Sequence, residues 1–306
     1  MLCFNSSEAK AFIMNIFKSK TPSLDLQHLS CLSTDQHGIL TTQAPILAYW
    51  WDVNQNFGDW IGPWLIARMT QSVVINTRAQ QVPHSLFSVG SILGHITKDQ
   101  GVVDVWGSGL IAPLEQKKIL KRLKASATPR FHAVRGKLTQ AEIESKMQWK
   151  VPNVFGDPAL LISEFYTPPT KKLNIVVCPH HIHYAQVKEK LKNTNIHVID
   201  VMQSPEKVIA EIANADYCLS SSLHGLIIAQ AYQVPWTWLR FSHEPLVGDT
   251  FKFYDYFSIF TDGQQIKPVD LNFDNLNAEL IQKISQTAAL AKMNVSLSDL
   301  KDSFPL

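Results

Sequence analysis

From residue 46 onward, short apolar runs alternate with helical stretches, and a small or polar residue closes almost every run. The first series contains Ile46-Leu47-Ala48-Tyr49-Trp50-Trp51, Ser85-Leu86-Phe87-Ser88-Val89, Val102-Val103-Asp104-Val105-Trp106 and Pro129-Arg130-Phe131-His132-Ala133-Val134. A loop through Gly58 and a helix over residues 60–69 follow its first strand. The second series begins after Pro168-Pro169-Thr170-Lys171-Lys172, the best linker in the chain. It runs from the strand Leu-Asn-Ile-Val-Val-Cys at 173–178 through a helix at 185–192, a strand at 197–201 and a helix at 205–214. A strand at 216–219 and Trp236-Thr237-Trp238-Leu239 close it, and residues 275–292 read as one long helix. Strands alternating with helices build parallel βαβ units. The expected fold is therefore α/β, with two doubly wound, Rossmann-like domains facing each other across a cleft. Residues 1–45 form an extension, 46–167 the first domain and 168–306 the second, whose C-terminal helix is expected to pack back on the first. Ligands in such sheets bind at the C-terminal ends of the strands.

A chain of 306 residues is long enough for two such cores. Its formal net charge of +2 gives no field that selects nucleic acid or a membrane surface. Cys3, Cys31, Cys178 and Cys218 are scattered, with no CxxC pair, which reads as free thiols in a reducing cytoplasm. No run reaches the roughly 18 apolar residues of a membrane-spanning helix. The run Ala11-Phe12-Ile13-Met14-Asn15-Ile16-Phe17 reads as a docked amphipathic helix and makes a poor signal peptide.

Chemistry concentrates in a few strand-to-helix turns. Ser220-Ser221-Ser222-Leu223-His224-Gly225 follows an apolar strand and opens an apolar helix, which sets a titratable imidazole beside unpaired helix N–H groups. In Asn54-Gln55-Asn56-Phe57-Gly58-Asp59, Asp59 is placed to cap the next helix, and that role outweighs sugar binding by Asn56 and Asp59. Val105-Trp106-Gly107-Ser108-Gly109 lacks the third glycine of a dinucleotide fingerprint, since Ala112 stands there. Arg135 ends a strand, where a guanidinium suits a carboxylate or phosphate. Gly156-Asp157-Pro158 reads as a capping Asp with Pro opening the next helix. Among His180, His181 and His183, one is expected to line the cleft and the others to be surface residues, and no metal ligand set accompanies them. Lys252 is expected in a loop, where flanking aromatics would hold it as a phosphate counter-charge. Trp50, Trp51, Trp60 and Trp64 can stack on sugars, although a buried core explains them more simply.

Taken in order, several fragments resemble the polysaccharide pyruvyl transferase family, closest to its bacterial exopolysaccharide branch. They are Asn56-Phe57-Gly58-Asp59, Val89-Gly90-Ser91-Ile92-Leu93, Val105-Trp106-Gly107-Ser108-Gly109, Ala133-Val134-Arg135-Gly136, Gly156-Asp157-Pro158, Pro179-His180, Ser220 to Gly225 and Phe251-Lys252-Phe253. The resemblance implies a fold like that of GT-B glycosyltransferases. It also implies transfer of the enolpyruvyl unit of phosphoenolpyruvate to two hydroxyls of one sugar, with a cyclic ketal formed and phosphate released. Catalysis would fall to His224 as general acid and Asp59 as the group that orients or deprotonates the acceptor. The donor would meet Arg135, Lys252, Ser222, Leu223, Gly225 and His180, and the acceptor Asn56, Asp59 and Ser108. The resemblance implies no cofactor, and the partners would be phosphoenolpyruvate and a sugar or lipid-linked oligosaccharide, without nucleic acid. The expected location is the cytoplasm, with at most peripheral contact at the inner face of the membrane. Ser222 stands where many members carry arginine, which leaves the donor's charge to Arg135, Lys252 and backbone N–H groups. Two rival readings are a GT-B glycosyltransferase using a nucleotide sugar and a non-catalytic glycan-binding protein of the same fold.

Overall fold

The computed structural model describes residues 45–306 except Ala79 and Asp249. The N-terminal extension, the apolar run at 11–17, Cys3 and Cys31 lie outside the described residues. The first sheet contains β1 (Ile46–Tyr49), β2 (Val74–Asn76), β3 (His84–Phe87), β4 (Val102–Ser108) and β5 (Arg130–Val134). The second contains β6 (Leu173–Cys178), β7 (His197–Val198), β8 (Ala215–Ser220), β9 (Trp236–Phe241) and β10 (Val269–Leu271). The helices are α1 (Phe57–Thr70), α2 (Lys117–Ala125), α3 (Lys137–Met147), α4 (Tyr184–Leu191), α5 (Pro205–Ala213), α6 (Leu223–Ala231), α7 (Phe251–Phe257), α8 (Ala278–Ser285) and α9 (Leu297–Asp302).

Both sheets are parallel throughout, with orders β2-β1-β3-β4-β5 and β10-β9-β8-β6-β7. Counted within its own half, each order is the same: the first strand lies between the second and the third. Chain direction across the sheet therefore reverses between β1 and β3, and again between β6 and β8. Crevices at such switch points are where open α/β sheets bind ligands. The strands fit their sequences. The last four residues of β6, Ile-Val-Val-Cys, are all buried, as expected of a strand covered on both faces. The helix α6 is apolar around most of its circumference and lies inside the protein. One buried cluster takes residues from both halves, among them Phe57, Trp64 and Trp106 with Leu226 and Trp238. Cys178 and Cys218 are buried free thiols. No helix among the described residues is long and apolar enough to cross a membrane.

Several elements depart from the sequence expectation. The short strands β2 and β10, of three residues each, are too brief for a periodicity to mark. The long helix expected over 275–292 is α8 alone. Beyond it the backbone of Ala289 pairs with Trp236 and that of Met293 with Phe260, so sheet-edge pairing overrides local helix propensity. The last helix, α9, returns to the first sheet, where the Trp106 indole N–H donates to the Leu300 carbonyl at 2.8 Å.

A buried ion pair joins the two halves. Arg135, just after β5, and Asp255, in α7, have side chains with 0% exposure. Arg135 Nε donates to Asp255 Oδ2 at 2.9 Å, Nη1 to Ser91 Oγ at 2.6 Å and Nη2 to the Leu110 carbonyl at 2.7 Å. The Asp255 carboxylate also accepts from the Thr139 backbone N–H and hydroxyl, each at 2.7 Å. Because Gly136 at the N-cap of α3 has no side chain to offer, Asp255 caps that helix from 116 residues away. A Cβ at Gly136 would run into the Asp255 carbonyl. Removing one partner of such a pair leaves the other charge buried alone. We expect Asp255→Ala to lower stability by about 3–5 kcal/mol, read from the urea midpoint at unchanged slope.

Candidate functional site

The two switch points meet. The turn after β1 opens α1, where Asn56 accepts from the Gly58 N–H at 3.1 Å. The cap expected of Asp59 thus belongs to Asn56, and Asp59 occupies the first turn of α1. Phe57 N–H donates to the Val201 carbonyl at 2.8 Å, which ties this turn to the loop after β7. The turn after β8 opens α6 and delivers His224 to the same place. Gly58 is the reason it fits: a Cβ there would stand 2.6 Å from His224 Nδ1. The rings of Phe57 and His224 meet edge to face, with centroids 6.4 Å apart.

His224 Nε2 lies 3.8 Å from Asp157 Oδ2. Both atoms are buried and make no hydrogen bond. Asp157 does cap the turn Pro158–Glu164, as expected, with Oδ1 accepting from the Ala159 N–H at 3.0 Å. That role uses one oxygen and turns the other toward the imidazole. Burial, reinforced by the charges of Arg135 and Lys252, pushes His224 down to about 3. Burial pushes Asp157 up to about 6, against the Ala159 hydrogen bond and the Arg135 charge. The Tyr256 hydroxyl is buried without a partner, and burial together with Asp157 raises its titration well above the usual phenol range.

Lys252 connects the remaining groups. It lies in the first turn of α7, not in a loop, because Phe253 stacks on Trp238 at 4.6 Å and draws the segment into a helix over β9. Burial lowers its ammonium to about 8, with Arg135 adding to the effect and Asp59 opposing it. Burial raises Asp59 to about 7, which the Lys252 charge resists. Burial, Lys252 and the neighbouring histidines hold His180 down at about 3. Asp59, His180 and His224 thus share the field of one lysine.

Other expected residues have different surroundings. Arg135 is enclosed by Asp255, Ser91 and Leu110. Ser108 is buried and donates to the Gly90 carbonyl at 3.0 Å, so its hydroxyl serves the turn. Ser221 Oγ accepts from the His180 N–H at 3.0 Å, and Ser220 Oγ donates to the Cys178 carbonyl at 2.7 Å. The N-cap of α6 is Ser222, whose side chain makes no capping bond, and Leu223 is the first helical residue. Gly225 lies so close to Ser220 and Cys178 that no Cβ would fit. His183 is not a surface residue: its Nε2 pairs with the Glu244 carbonyl at 2.9 Å, and its ring packs on Phe241. Asp157, Asp255 and Tyr256 are the members that sequence reasoning missed. For Asp157 the signal was present, since Gly156-Asp157-Pro158 belongs to the ordered set of fragments, but the capping role accounted for it locally.

The matched span now has a geometry to be set against. Residues 100–243 match the family model of polysaccharide pyruvyl transferase. The span contains Arg135, Asp157, His180, Ser222 and His224, while Asp59 and Lys252 fall outside it. An uncharacterized protein of Acanthamoeba polyphaga mimivirus is 27% identical over 230 residues, covering 72% of this chain and 76% of that protein. A crystal structure of a functionally uncharacterized protein from Klebsiella pneumoniae subsp. pneumoniae NTUH-K2044 aligns at a TM-score of 0.45 and 12% identity, over 88% of this chain and 100% of that one.

A histidine held near 3 stays neutral in the ligand-free protein. Its ring nitrogens, followed by 15N NMR and assigned with His224→Gln, should keep the chemical shifts of a neutral imidazole between about pH 8 and pH 5, whereas an ordinary histidine protonates in that window.

Proposed function

We propose that this chain transfers the pyruvyl group of phosphoenolpyruvate to two hydroxyls of one sugar in a polysaccharide or its precursor, closing a cyclic ketal and releasing phosphate. Each parallel sheet forms one lobe of a GT-B-like fold. The reading is carried by one observation: His224 Nε2 and Asp157 Oδ2, two buried atoms without a hydrogen bond, face each other at 3.8 Å beside the turns that open α1 and α6, with His224 in the field of Lys252. Phosphoenolpyruvate brings a phosphate and a carboxylate. Lys252 and the free N–H groups opening α6, at Leu223, His224 and Gly225, suit those anions. Arg135 supplies charge from behind the site, since its own donors are engaged.

The bound anions offset the cations that hold His224 neutral, so its pKa rises and it takes up a proton, with Asp157 stabilising the imidazolium. That proton moves from the imidazole to the methylene carbon of the donor. The carbon bearing the phosphate becomes oxocarbenium-like and accepts the first sugar hydroxyl, whose proton goes to Asp59. The carbon–oxygen bond to phosphate then breaks, Lys252 takes up the developing charge, and the second hydroxyl closes the ketal. Two hydroxyl protons leave the sugar, which balances the one added to the methyl group and one released with phosphate.

The pH dependence of donor binding follows from Lys252. An ammonium near 8 must keep its proton. Thermal stabilisation by phosphoenolpyruvate should therefore fall above about pH 8, as Lys252 loses its proton, read from melting curves taken across pH. His224→Ala should lose about 10²–10⁴-fold in transfer while the circular dichroism spectrum of the folded protein is retained. Full ketal formation by that variant, followed by product mass, overturns the assignment.

A further inference from the structure

Beside the Asn56–Asp59 turn lies a small cavity of different character. Its volume is about 160 Å³, and its walls are Gln55, Trp60, Met202, Gln203, Ser204 and Pro205. Gln55 and Trp60 come from either side of the turn that opens α1, and the other four from the loop between β7 and α5. The Phe57–Val201 backbone bond holds these two segments together, so the cavity is built by both halves of the protein.

The lining carries two amides, one hydroxyl, one indole and one thioether, and no charged side chain. The donor side is the opposite, dominated by Lys252 and Arg135. An indole face bounded by uncharged amide and hydroxyl groups suits a sugar ring, whose C–H face is apolar and whose edge is a row of hydroxyls. The polar groups are positioned for it. Gln203 Nε2 donates to the Asp200 carbonyl at 3.0 Å, which fixes the amide, and Ser204 sits at the N-cap of α5 without its hydroxyl making a capping bond. The volume is well below the roughly 300–1,000 Å³ of sites that enclose a drug-sized ligand, so one ring fits with the rest of a glycan outside. Gln55 precedes the N-cap Asn56 and Trp60 follows Asp59, so the cavity borders the turn that opens α1.

We propose that this cavity is the acceptor subsite and that it selects an uncharged pyranose ring, held by Trp60, Gln55 and Gln203. The assignment of that ring as the acceptor rests on the pyruvyl-transfer reading; the preference for a neutral sugar rests on the lining alone. Ser108, enclosed in the β4 turn, takes no part.

The test uses the full chain with methyl hexopyranosides and the corresponding methyl hexopyranosiduronates, with binding read by saturation-transfer NMR. Neutral glycosides should bind, and the uronates should bind about tenfold more weakly. The pair Gln55→Ala and Gln203→Ala should weaken neutral-glycoside binding about tenfold, as loss of one or two hydrogen bonds predicts, while thermal stabilisation by phosphoenolpyruvate is unchanged. Trp60→Phe, which keeps a ring in place, should reduce affinity less than Trp60→Ala, and a melting curve on each variant separates lost binding from lost folding. Equal binding of neutral and charged glycosides, or an unaltered affinity in the Gln55/Gln203 pair, overturns the subsite. If phosphate is released from phosphoenolpyruvate but the acceptor KM is the same in the variants, the subsite fails and the transfer reading stands. If glycosides bind as expected but no phosphate is released, the subsite stands and the transfer reading fails.

Discussion

The buried Arg135–Asp255 pair is the constraint on which the rest of this structure depends. Two opposite charges removed from water are tolerated only when their geometry and remaining hydrogen bonds are satisfied. Here the guanidinium reaches Ser91 and Leu110 as well as the carboxylate, and the carboxylate reaches both polar groups of Thr139. The pair therefore fixes three things at once: the end of β5, the start of α3 and the position of α7. Because Lys252 lies three residues before Asp255 on α7, its placement follows from that anchor. The Arg135 charge is locked in position and acts on Lys252 and His224 as a fixed field.

Burial brings three of the site's titrations together, and burial with that field sets His224 apart from them. The carboxylates Asp157 and Asp59 rise to about 6 and 7, while Lys252 falls to about 8 and His224 to about 3. A site poised this way changes its proton distribution readily when an anion enters, since the desolvated groups have few other compensating partners. Environments that push titrations apart or together assign acid and base roles on a common scaffold. The neutral-lined cavity next to Asp59 adds a second environment within a few residues, so one turn of α1 faces both charged and uncharged chemistry.

Much of the fold was legible because its signals are local. The strands at 46, 85, 102, 130, 173, 216 and 236 announce themselves by apolar runs closed by small residues, and each recurs in the sheets. What could not be read was set by distant partners. Arg135 looked like a ligand-binding group because a guanidinium at a strand end suits a carboxylate or phosphate, and nothing nearby in sequence points to Asp255. The helical state of Lys252 depends on Phe253 meeting Trp238, and the end of α8 on pairing with β9. Asp157 illustrates a subtler limit: a complete local explanation hid a second oxygen with a different neighbour. The capping of α1 was misassigned by three residues for a related reason, since Asn56 and Asp59 are both good caps and only backbone geometry chooses between them.

The long separation within the ion pair also bears on how the chain is made. Arg135 emerges from the ribosome 120 residues before its carboxylate partner. At about 5–20 residues per second, that is an interval of roughly 6–24 s in which the first half cannot bury its guanidinium without an uncompensated charge. The N-terminal sheet must wait, solvated around Arg135, until α7 has been synthesised. Synthesis of α7, not formation of the first sheet, is thus the event that closes the candidate site.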